Sequence, residues 1–211
     1  MGRNLKPRGK ISRRIGEKLQ LKGDRDVSVK HAFTRRSYPP GIHGPKGYGR
    51  LTEYGIQLRE KQKLKALFGL MERQFARAIA KALTYKGVTG AKLLELLERR
   101  LDNVVFRLHL ASSRAHARQL VSHGFVAVNE KKVCIPSYEV RVGDRISFTP
   151  RFFSLQVTKD LLTVRKSINV EAPSWIEFDY QALTGRVIRA PGVDECEPGV
   201  DTRLIVEFYS R

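Results

Sequence analysis

The clearest periodic pattern of apolar and polar positions lies near the middle of the chain. Leucine or valine recurs at positions 94, 97, 101, 104 and 108, at alternating spacings of four and three. Such spacing places one apolar stripe along a helix, and Thr89 is a suitable residue to cap its start. The pattern therefore predicts one long helix from Thr89 through Leu108.

A second, shorter helix is predicted directly after the first. Ser112 and Ser113 offer side-chain oxygens for its N-cap. Gly124 suits the C′ position, where a left-handed backbone favours glycine. Leu120 lies on the apolar side of this segment, whereas arginine, glutamine and serine occupy the other side. The sequence thus predicts a short amphipathic helix between these caps.

A β-hairpin is predicted next, with strands at 125–128 and 131–135 around Asn129-Glu130. A two-residue type I′ turn needs a positive φ at both central residues. Asparagine tolerates this conformation, but for a residue with a Cβ it costs about 1–2 kcal/mol. The predicted turn is therefore strained at Glu130.

The other elements are predicted from shorter signals. In chain order they are an amphipathic helix from Ser12 to Leu21, two helices within 52–87 with a break or close packing at Gly69, a strand at Arg145 to Phe148, and a helix within Leu155 to Ile168. A loop-rich stretch from Ile176 to Leu204 follows, and Leu204 to Tyr209 is predicted as a final strand or an extended packing segment.

The charge of the chain indicates a polyanionic partner. The chain has 40 Lys and Arg against 21 Asp and Glu, a formal net charge of +19. Residues 1–50 hold 14 basic and 3 acidic residues, a net charge of +11, whereas residues 151–211 hold 8 and 9. Nucleic acid is the first expectation and an anionic membrane the second. The partner is expected to lie mainly against the N-terminal half.

The central segment offers a specific seat for phosphates. Free backbone N–H groups at the start of the second helix, the Ser113 cap and Arg114 together suit an anion. Arg118 one turn later, with Lys131 and Lys132 on the hairpin, would follow the next phosphates. Contacts to phosphate and sugar are typical of proteins that bind A-form RNA. A basic face that is merely solvated explains the same spacing, and the pattern alone leaves both interpretations open.

The first fifty residues are punctuated by glycine and proline, especially from Ser37 to Gly49, which excludes regular structure there. We expect this arm to be partly disordered alone and to fold along RNA. Tyr38, His43 and Tyr48 would either stack on bases or pin the loop to the protein. These two alternatives remain open from the sequence.

Several other kinds of site are not supported. His109, His116 and His123 recur every seven residues, which separates them by about 10.5 Å along a helix, too far to share a metal. We identify no catalytic grouping. Cys134 and Cys196 form no disulfide framework, and no apolar run approaches the roughly 18 residues of a membrane span. The sequence predicts no enzyme activity, metal, cofactor, small-molecule substrate or membrane partner.

Four short motifs carry a family resemblance. Between Leu97 and Val121 the chain contains, in this order, L-E-x-R-L, V-F-R, A-x-S and A-R-x-L-V. Together they form one long signature without insertions or deletions. This run resembles the S4-type RNA-binding domain. The segments Leu5–Gly16, Tyr54–Lys63 and Ile205–Arg211 extend the resemblance to the full-length family of bacterial small-subunit ribosomal protein S4.

The resemblance implies a function and a set of partners. The family binds small-subunit rRNA directly and early in assembly, at a junction in the 5′ domain, and it affects translational accuracy. It neighbours ribosomal protein five, close to the path of mRNA, in cytoplasmic ribosomes. Some relatives bind zinc through four cysteines in the first segment. This chain has no cysteine before Cys134, so it resembles the zinc-free branch.

Two other functions are alternatives to this one. An RNA-modifying or tRNA-charging enzyme would use the same domain as a handle but needs a separate catalytic domain. A free heat-shock RNA-binding protein would lack the long basic arm and the matching C-terminus.

The expected fold class is α+β, with an antiparallel sheet in the small RNA-binding domain. The expected domains are a basic arm at 1–50, a helical domain at 51–96 completed by the C-terminal segment, the RNA-binding domain at 97–160, and a segment at 161–211 that packs back. Charge, pattern and resemblance together predict an RNA-binding set: Arg3, Lys6, Arg8, Lys10, Arg13, Arg14, Arg35, Arg36, Tyr38, His43, Lys46, Arg50, Tyr54, Gln57, Arg59, Lys61, Lys63, Arg73, Arg77, Arg100, Arg107, Ser113, Arg114, Arg118, Gln119, Lys131 and Lys132.

Overall fold

The fold consists of two compact units, as seen in a computed structural model. The first unit comprises Met1–Leu93 with Glu197–Arg211, and the second comprises Leu94–Cys196. The residues that the structure describes are 6–23, 26, 28–154, 172–179, 181–196 and 199–210. None of the helices in these ranges is long and apolar enough to cross a membrane.

The first unit is helical. Its elements are α1 (Arg8–Ile15), α2 (Ala32–Arg35), a 3₁₀ turn (Gly44–Lys46), α3 (Glu53–Leu67), α4 (Glu72–Leu83), the first half of α5 (Thr89–Glu98) and α9 (Thr202–Ser210).

The N-terminal helix lies earlier in the chain than predicted. The sequence predicted a helix from Ser12 to Leu21, but α1 ends at Ile15 because Gly16 takes a left-handed conformation with φ of 81°. Ile15 and Leu19, the apolar residues of that prediction, are nevertheless buried. The prediction identified the apolar positions correctly but overlooked that Gly16 ends the helix.

Helices α3 and α4 match the two helices predicted for 52–87. The Thr52 hydroxyl caps α3 by accepting a hydrogen bond from the Gly55 N–H. The chain breaks at Gly69, whose φ is 61°, and Phe75 and Ile79 of α4 are buried.

The C-terminal segment is helical, so the predicted strand from Leu204 to Tyr209 is wrong. Ile205 is buried in α9, and the Phe208 and Tyr209 rings lie 5.4 and 6.3 Å from the rings of Tyr54 and Phe75. These contacts recur at helical spacings of three and four. Packing on α3 and α4 therefore outweighs the β-branched and aromatic composition.

In its described residues, the second unit packs short helices against an antiparallel sheet. Its elements are the end of α5, α6 (Leu101–Arg107), α7 (Arg114–Ser122), β1 (Val126–Val128), β2 (Lys131–Lys132), β3 (Arg145–Phe148), α8 (Pro150–Ser154), β4 (Ile176–Asp179), β5 (Thr184–Val187) and a 3₁₀ turn (Val193–Glu195). The strand order is β2-β1-β3-β5-β4. The presence of both helices and an antiparallel sheet confirms the predicted α+β class.

The long helix predicted from Thr89 through Leu108 is interrupted. Arg100 is extended, with φ of −68° and ψ of 136°, and its backbone bridges to Glu139. The Leu101 N–H donates to the carbonyl of Tyr138 at 2.8 Å. The apolar stripe remains buried on both sides of this break. The predicted helical periodicity is therefore correct, but the prediction of one continuous helix is wrong.

Strands β4 and β5 complete the sheet, although the predicted domain boundary at residue 160 separates them from β1 to β3. Ile146 of β3 lies opposite Gly185 of β5. Ile146, Trp175 and Val187 share one buried core with α6 and α7. The loop-rich prediction for Ile176 to Leu204 overlooked these two strands. The helix predicted within Leu155 to Ile168 lies outside the described residues.

Local backbone chemistry agrees with the prediction for α7 and the hairpin. Gly124 is left-handed at φ of 73°, and the Phe125 N–H donates to the Leu120 carbonyl at 3.2 Å, as in a Schellman motif. Asn129 and Glu130 have φ values of 50° and 65°. The turn between β1 and β2 is therefore the predicted type I′ turn.

We predict that Glu130→Gly stabilises the protein. The substitution relieves a left-handed conformation costing about 1–2 kcal/mol, partly offset by roughly 0.4–1 kcal/mol of extra unfolded-state entropy. Calorimetry should show a higher Tm, by a few degrees at most.

Asn129→Gly is the matched control at the other central position. The Asn129 amide group donates to the Asp144 carboxylate at 2.8 Å and accepts from the Arg145 N–H at 2.9 Å. Losing these bonds should lower the Tm. A fall in Tm for Glu130→Gly as well would contradict the strain argument.

Candidate nucleic-acid interface

One buried carboxylate organises the arginines of the second unit. Asp102 is only 5% exposed. It accepts two hydrogen bonds from Arg100, at 3.1 and 3.0 Å, and one from the Nε of Arg118 at 2.9 Å. The sequence placed both arginines in the predicted RNA-binding set, with Arg118 as a phosphate contact. Arg100 is buried, so we assign it a structural role, whereas Arg118 is half-buried with its guanidinium group held in place.

A second buried carboxylate, Glu98, holds another predicted site residue. Arg107 donates to both Glu98 oxygens, at 2.9 and 2.6 Å. The Asn103 side chain donates to Glu98 at 2.6 Å and accepts from Arg114 Nε at 2.9 Å. Charged hydrogen bonds of this kind fix guanidinium planes. Arg107 and Arg114 are therefore positioned on α6 and α7 before any ligand binds.

The start of α7 has the geometry that the serine cap predicted. The Ser113 hydroxyl accepts from the His116 N–H at 3.3 Å, and the Arg114 guanidinium lies 4.6 Å from the centre of the Phe106 ring. Burial lowers the pKa of His116, so this residue adds no charge near neutral pH. The positive charge at this end of α7 comes from arginine.

The hairpin presents exposed cations. Lys131 and Lys132 are exposed on β2, and Gln119 is exposed on α7. A Cβ built on Gly124 would lie 2.0 Å from the Cε of Lys132. The Lys132 side chain therefore crosses Gly124, at the end of α7.

The sheet carries two exposed arginines that were not predicted as site residues. Arg145 of β3 lies directly opposite Arg186 of β5, and both are exposed. Like charges in opposite positions destabilise a sheet, but Glu177 of β4 lies opposite Arg186 on its other side and offsets part of that cost. The alternation around Arg145 was a usable signal, but β5 was not predicted.

Three predicted site residues of α3 are buried in the first unit. Gln57 donates to Glu207 at 3.0 Å. Lys63 donates to Glu17 at 2.6 Å and pairs with Glu60 at 3.8 Å. Lys61 Nζ donates to Glu72 at 2.8 Å and lies 4.3 Å from the centre of the Phe208 ring. These contacts give Gln57, Lys61 and Lys63 a structural role.

Glu72 is the shared partner of two lysines. Burial alone would raise its pKa, but hydrogen bonds from Lys61, Lys65 and Tyr209 outweigh burial and lower the pKa to about 2. The same contact, together with burial, raises the pKa of Tyr209. Glu72 thereby ties α4 to α3 and α9.

The described part of the arm is held against the protein. Arg8 donates to the Leu21 carbonyl at 2.6 Å. Arg13 donates to the carbonyl of Tyr38 at 3.0 Å and lies 4.8 Å from the centre of that ring. The Tyr48 hydroxyl donates to the Arg13 carbonyl. For Tyr38 and Tyr48, these contacts favour the pinning alternative.

The remaining predicted residues of the first unit lie mostly at its surface. Arg59 is half-buried with its guanidinium 5.5 Å from the centre of the Tyr48 ring, and Tyr54 is 51% exposed. Arg3 lies outside the described residues. The exposed side chains are Lys6, Lys10, Arg14, Arg35, Arg36, His43, Lys46, Arg50, Arg73 and Arg77.

Comparisons with known proteins agree along the whole chain. The family model for the ribosomal protein S4/S9 N-terminal domain matches residues 3–98, and that for the S4 domain matches residues 99–146. Proteins named small ribosomal subunit protein uS4 are 49% identical in Thermoanaerobacter sp., 48% in Dictyoglomus turgidum and 46% in Roseiflexus castenholzii. Each alignment covers 100% of this chain and 100% of the relative.

We predict that Asp102→Ala strongly destabilises the second unit. The substitution leaves Arg100 and Arg118 without their shared carboxylate, and breaking a buried pair in this way costs about 3–5 kcal/mol. Asp194→Ala, at an exposed position of the 3₁₀ turn (Val193–Glu195), is the control and should change stability by no more than about 0.5 kcal/mol. Urea unfolding followed by Trp175 fluorescence would report both, and equal stability of the two variants would rule out the anchoring role.

We also predict that Glu72 makes the folding stability fall at acidic pH. Its folded pKa of about 2 lies below the ordinary 4.5, so its contribution is present above pH 4.5 and is lost as the pH falls toward 2. Glu72→Gln should be less stable than the parent near neutral pH, and the gap should close on acidification. Because Glu72 is half-exposed, solvent screening limits the effect. Denaturant unfolding at pH 7 and pH 3 tests this, and a constant gap would contradict it.

Proposed function

The chain belongs to the ribosomal protein S4 family, and from this premise we propose that it is a structural component of the small ribosomal subunit that binds small-subunit rRNA directly. The family consists of structural rather than enzymatic proteins. The chain therefore acts by binding and shaping RNA, with no chemical step of its own.

The observation that carries this proposal is the contrast between two groups of cations. Lys61, Lys63 and Arg100 are buried against carboxylates. A second group, including Arg14, Arg35 and Arg36, is exposed in the segment of greatest positive charge. Exposed cations at such density suit the phosphates of RNA. We propose the exposed members of the predicted set as the phosphate contacts of the first unit.

In the second unit we propose that α7 and the hairpin contact RNA. Arg114 and Arg118 are half-buried and fixed by hydrogen bonds, whereas Lys131 and Lys132 are exposed. Fixed guanidinium groups bind phosphate with little loss of side-chain freedom. The arrangement suits recognition of an RNA fold by shape rather than by base sequence.

Family membership suggests finer roles, which we also propose. The chain would bind early at a junction of the 5′ domain and nucleate assembly there. It would lie beside ribosomal protein five and near mRNA, and would contribute to translational accuracy. We expect to find it in the ribosome.

We predict that Arg14, Arg35 and Arg36 contribute to the salt dependence of RNA binding. Filter binding of a 5′-domain rRNA transcript at several salt concentrations gives the log–log slope. The triple alanine variant should lower that slope by about 0.7–0.9 for each phosphate that the three arginines neutralise in the parent.

The control changes the same net charge elsewhere. Lys86, Arg151 and Arg203 are exposed and lie outside the predicted set, so their triple alanine variant should keep a slope close to that of the parent. If both variants lower the slope equally, binding follows total charge and the proposed surface is wrong. If the parent shows no salt-dependent binding, direct rRNA binding is wrong.

A further inference from the structure

The first unit contains an apolar groove that its packing leaves open. The groove has a volume of about 770 Å³ and is bounded by α1, by the segment before α3, by α3 along its length, and by residues 70–72 that follow α3. Ile15 and Leu58 line it together with Tyr48, Leu51 and Met71. The last three are 41%, 42% and 42% exposed. Substantial apolar surface therefore faces an open cleft.

The rim of this groove is cationic. Among the residues that the structure describes, Lys6, Arg14, Arg59 and Lys65 line it with one acid, Glu72. Lys65 and Lys61 both bind Glu72, so that carboxylate is already neutralised. An occupant is therefore expected to combine an apolar or aromatic group with negative charge.

The groove is also preformed. The Tyr48 hydroxyl is bound to the Arg13 carbonyl, and Arg59 lies against the Tyr48 ring. Gly16 permits this arrangement, because a Cβ there would lie 2.3 Å from Arg59 and 3.2 Å from Tyr48. A rigid wall reduces the entropy that a ligand loses on binding.

We propose that this groove receives one unpaired nucleotide of the bound RNA. Its base would pack against Leu51 and Tyr48, at the end of the groove next to the start of α3, and its phosphate would lie at Arg14 and Arg59. A nucleotide has the required chemistry, an aromatic face joined to anionic phosphates. This inference rests on the proposed RNA-binding function and adds base contact to a surface otherwise argued from phosphates alone.

Gly55 allows the groove to be filled without changing any charge. It lines the groove within the first turn of α3. A Cβ there would meet its nearest atoms, Thr52 Oγ1 and Leu51 Cδ2, at 3.4 and 3.5 Å, which are ordinary contacts. Alanine and leucine both favour helix more than glycine. Gly55→Leu is the blocking variant and Gly55→Ala the matched control.

Two probes separate base contact from charge. One is the 5′-domain rRNA transcript, and the other is inorganic polyphosphate, an anion without bases. Gly55→Leu should weaken transcript binding about five- to a hundredfold, as expected for loss of one stacked base. Its polyphosphate affinity and its salt slope should stay unchanged. Gly55→Ala should stay close to the parent with both probes, and Leu51→Ala, which keeps the groove open, should weaken only transcript binding, by a smaller factor.

The outcomes are distinguishable. Equal losses with both probes, or a normal transcript affinity for a folded Gly55→Leu, would overturn the nucleotide assignment. Normal transcript binding combined with failure to join small subunits would instead identify an acidic protein partner. If the parent shows no salt-dependent binding of the transcript, the proposed rRNA binding itself fails, independently of the groove.

Discussion

The pairing of Asp102 with two arginines is the interaction on which the second unit depends. Arg100 stands at the break between α5 and α6, and Arg118 lies one helix further on. Without the carboxylate, two guanidinium groups would approach each other in a poorly solvated site, and their repulsion would be strong. With it, the break and α7 are held together by one residue. Of the 40 basic residues in the chain, those that are buried need a carboxylate beside them, as Arg100 has in Asp102.

The first unit solves the same problem with lysine. The Lys61 and Lys63 side chains bury their stems in the packing of α3 while their ammonium groups reach Glu72 and Glu17. The methylene stems of these lysines contribute apolar surface to the core, while the carboxylates balance their buried charge. The acids of the N-terminal half are few, and several of them serve this purpose. The surface that remains is consequently more basic than the composition of the unit suggests.

The parts of the fold that the sequence predicted are those set by local chemistry. Gly124 and the Asn129-Glu130 turn were predictable because a left-handed backbone restricts the residues that can occupy it. The break at Arg100 was not, because it depends on backbone bonds to residues 138 and 139, which lie far along the chain. The prediction of a strand at the position of α9 failed for a related reason. The contacts of this segment with α3 and α4 outweigh its strand-like composition.

For the candidate interface, the sequence indicates the sign of the charge and the half of the chain that carries most of it, but not which residues stay exposed. Burial decides which cations remain available to a partner. Gln57 and Lys61 are four residues apart and therefore share a helix face, and that face is covered by Glu207 and Phe208 of α9. A stripe defined only by apolar residues does not reveal such a face. A polyanion is attracted by the charge that remains outside, so the number of exposed cations, rather than the net charge of +19, sets the strength of the interaction.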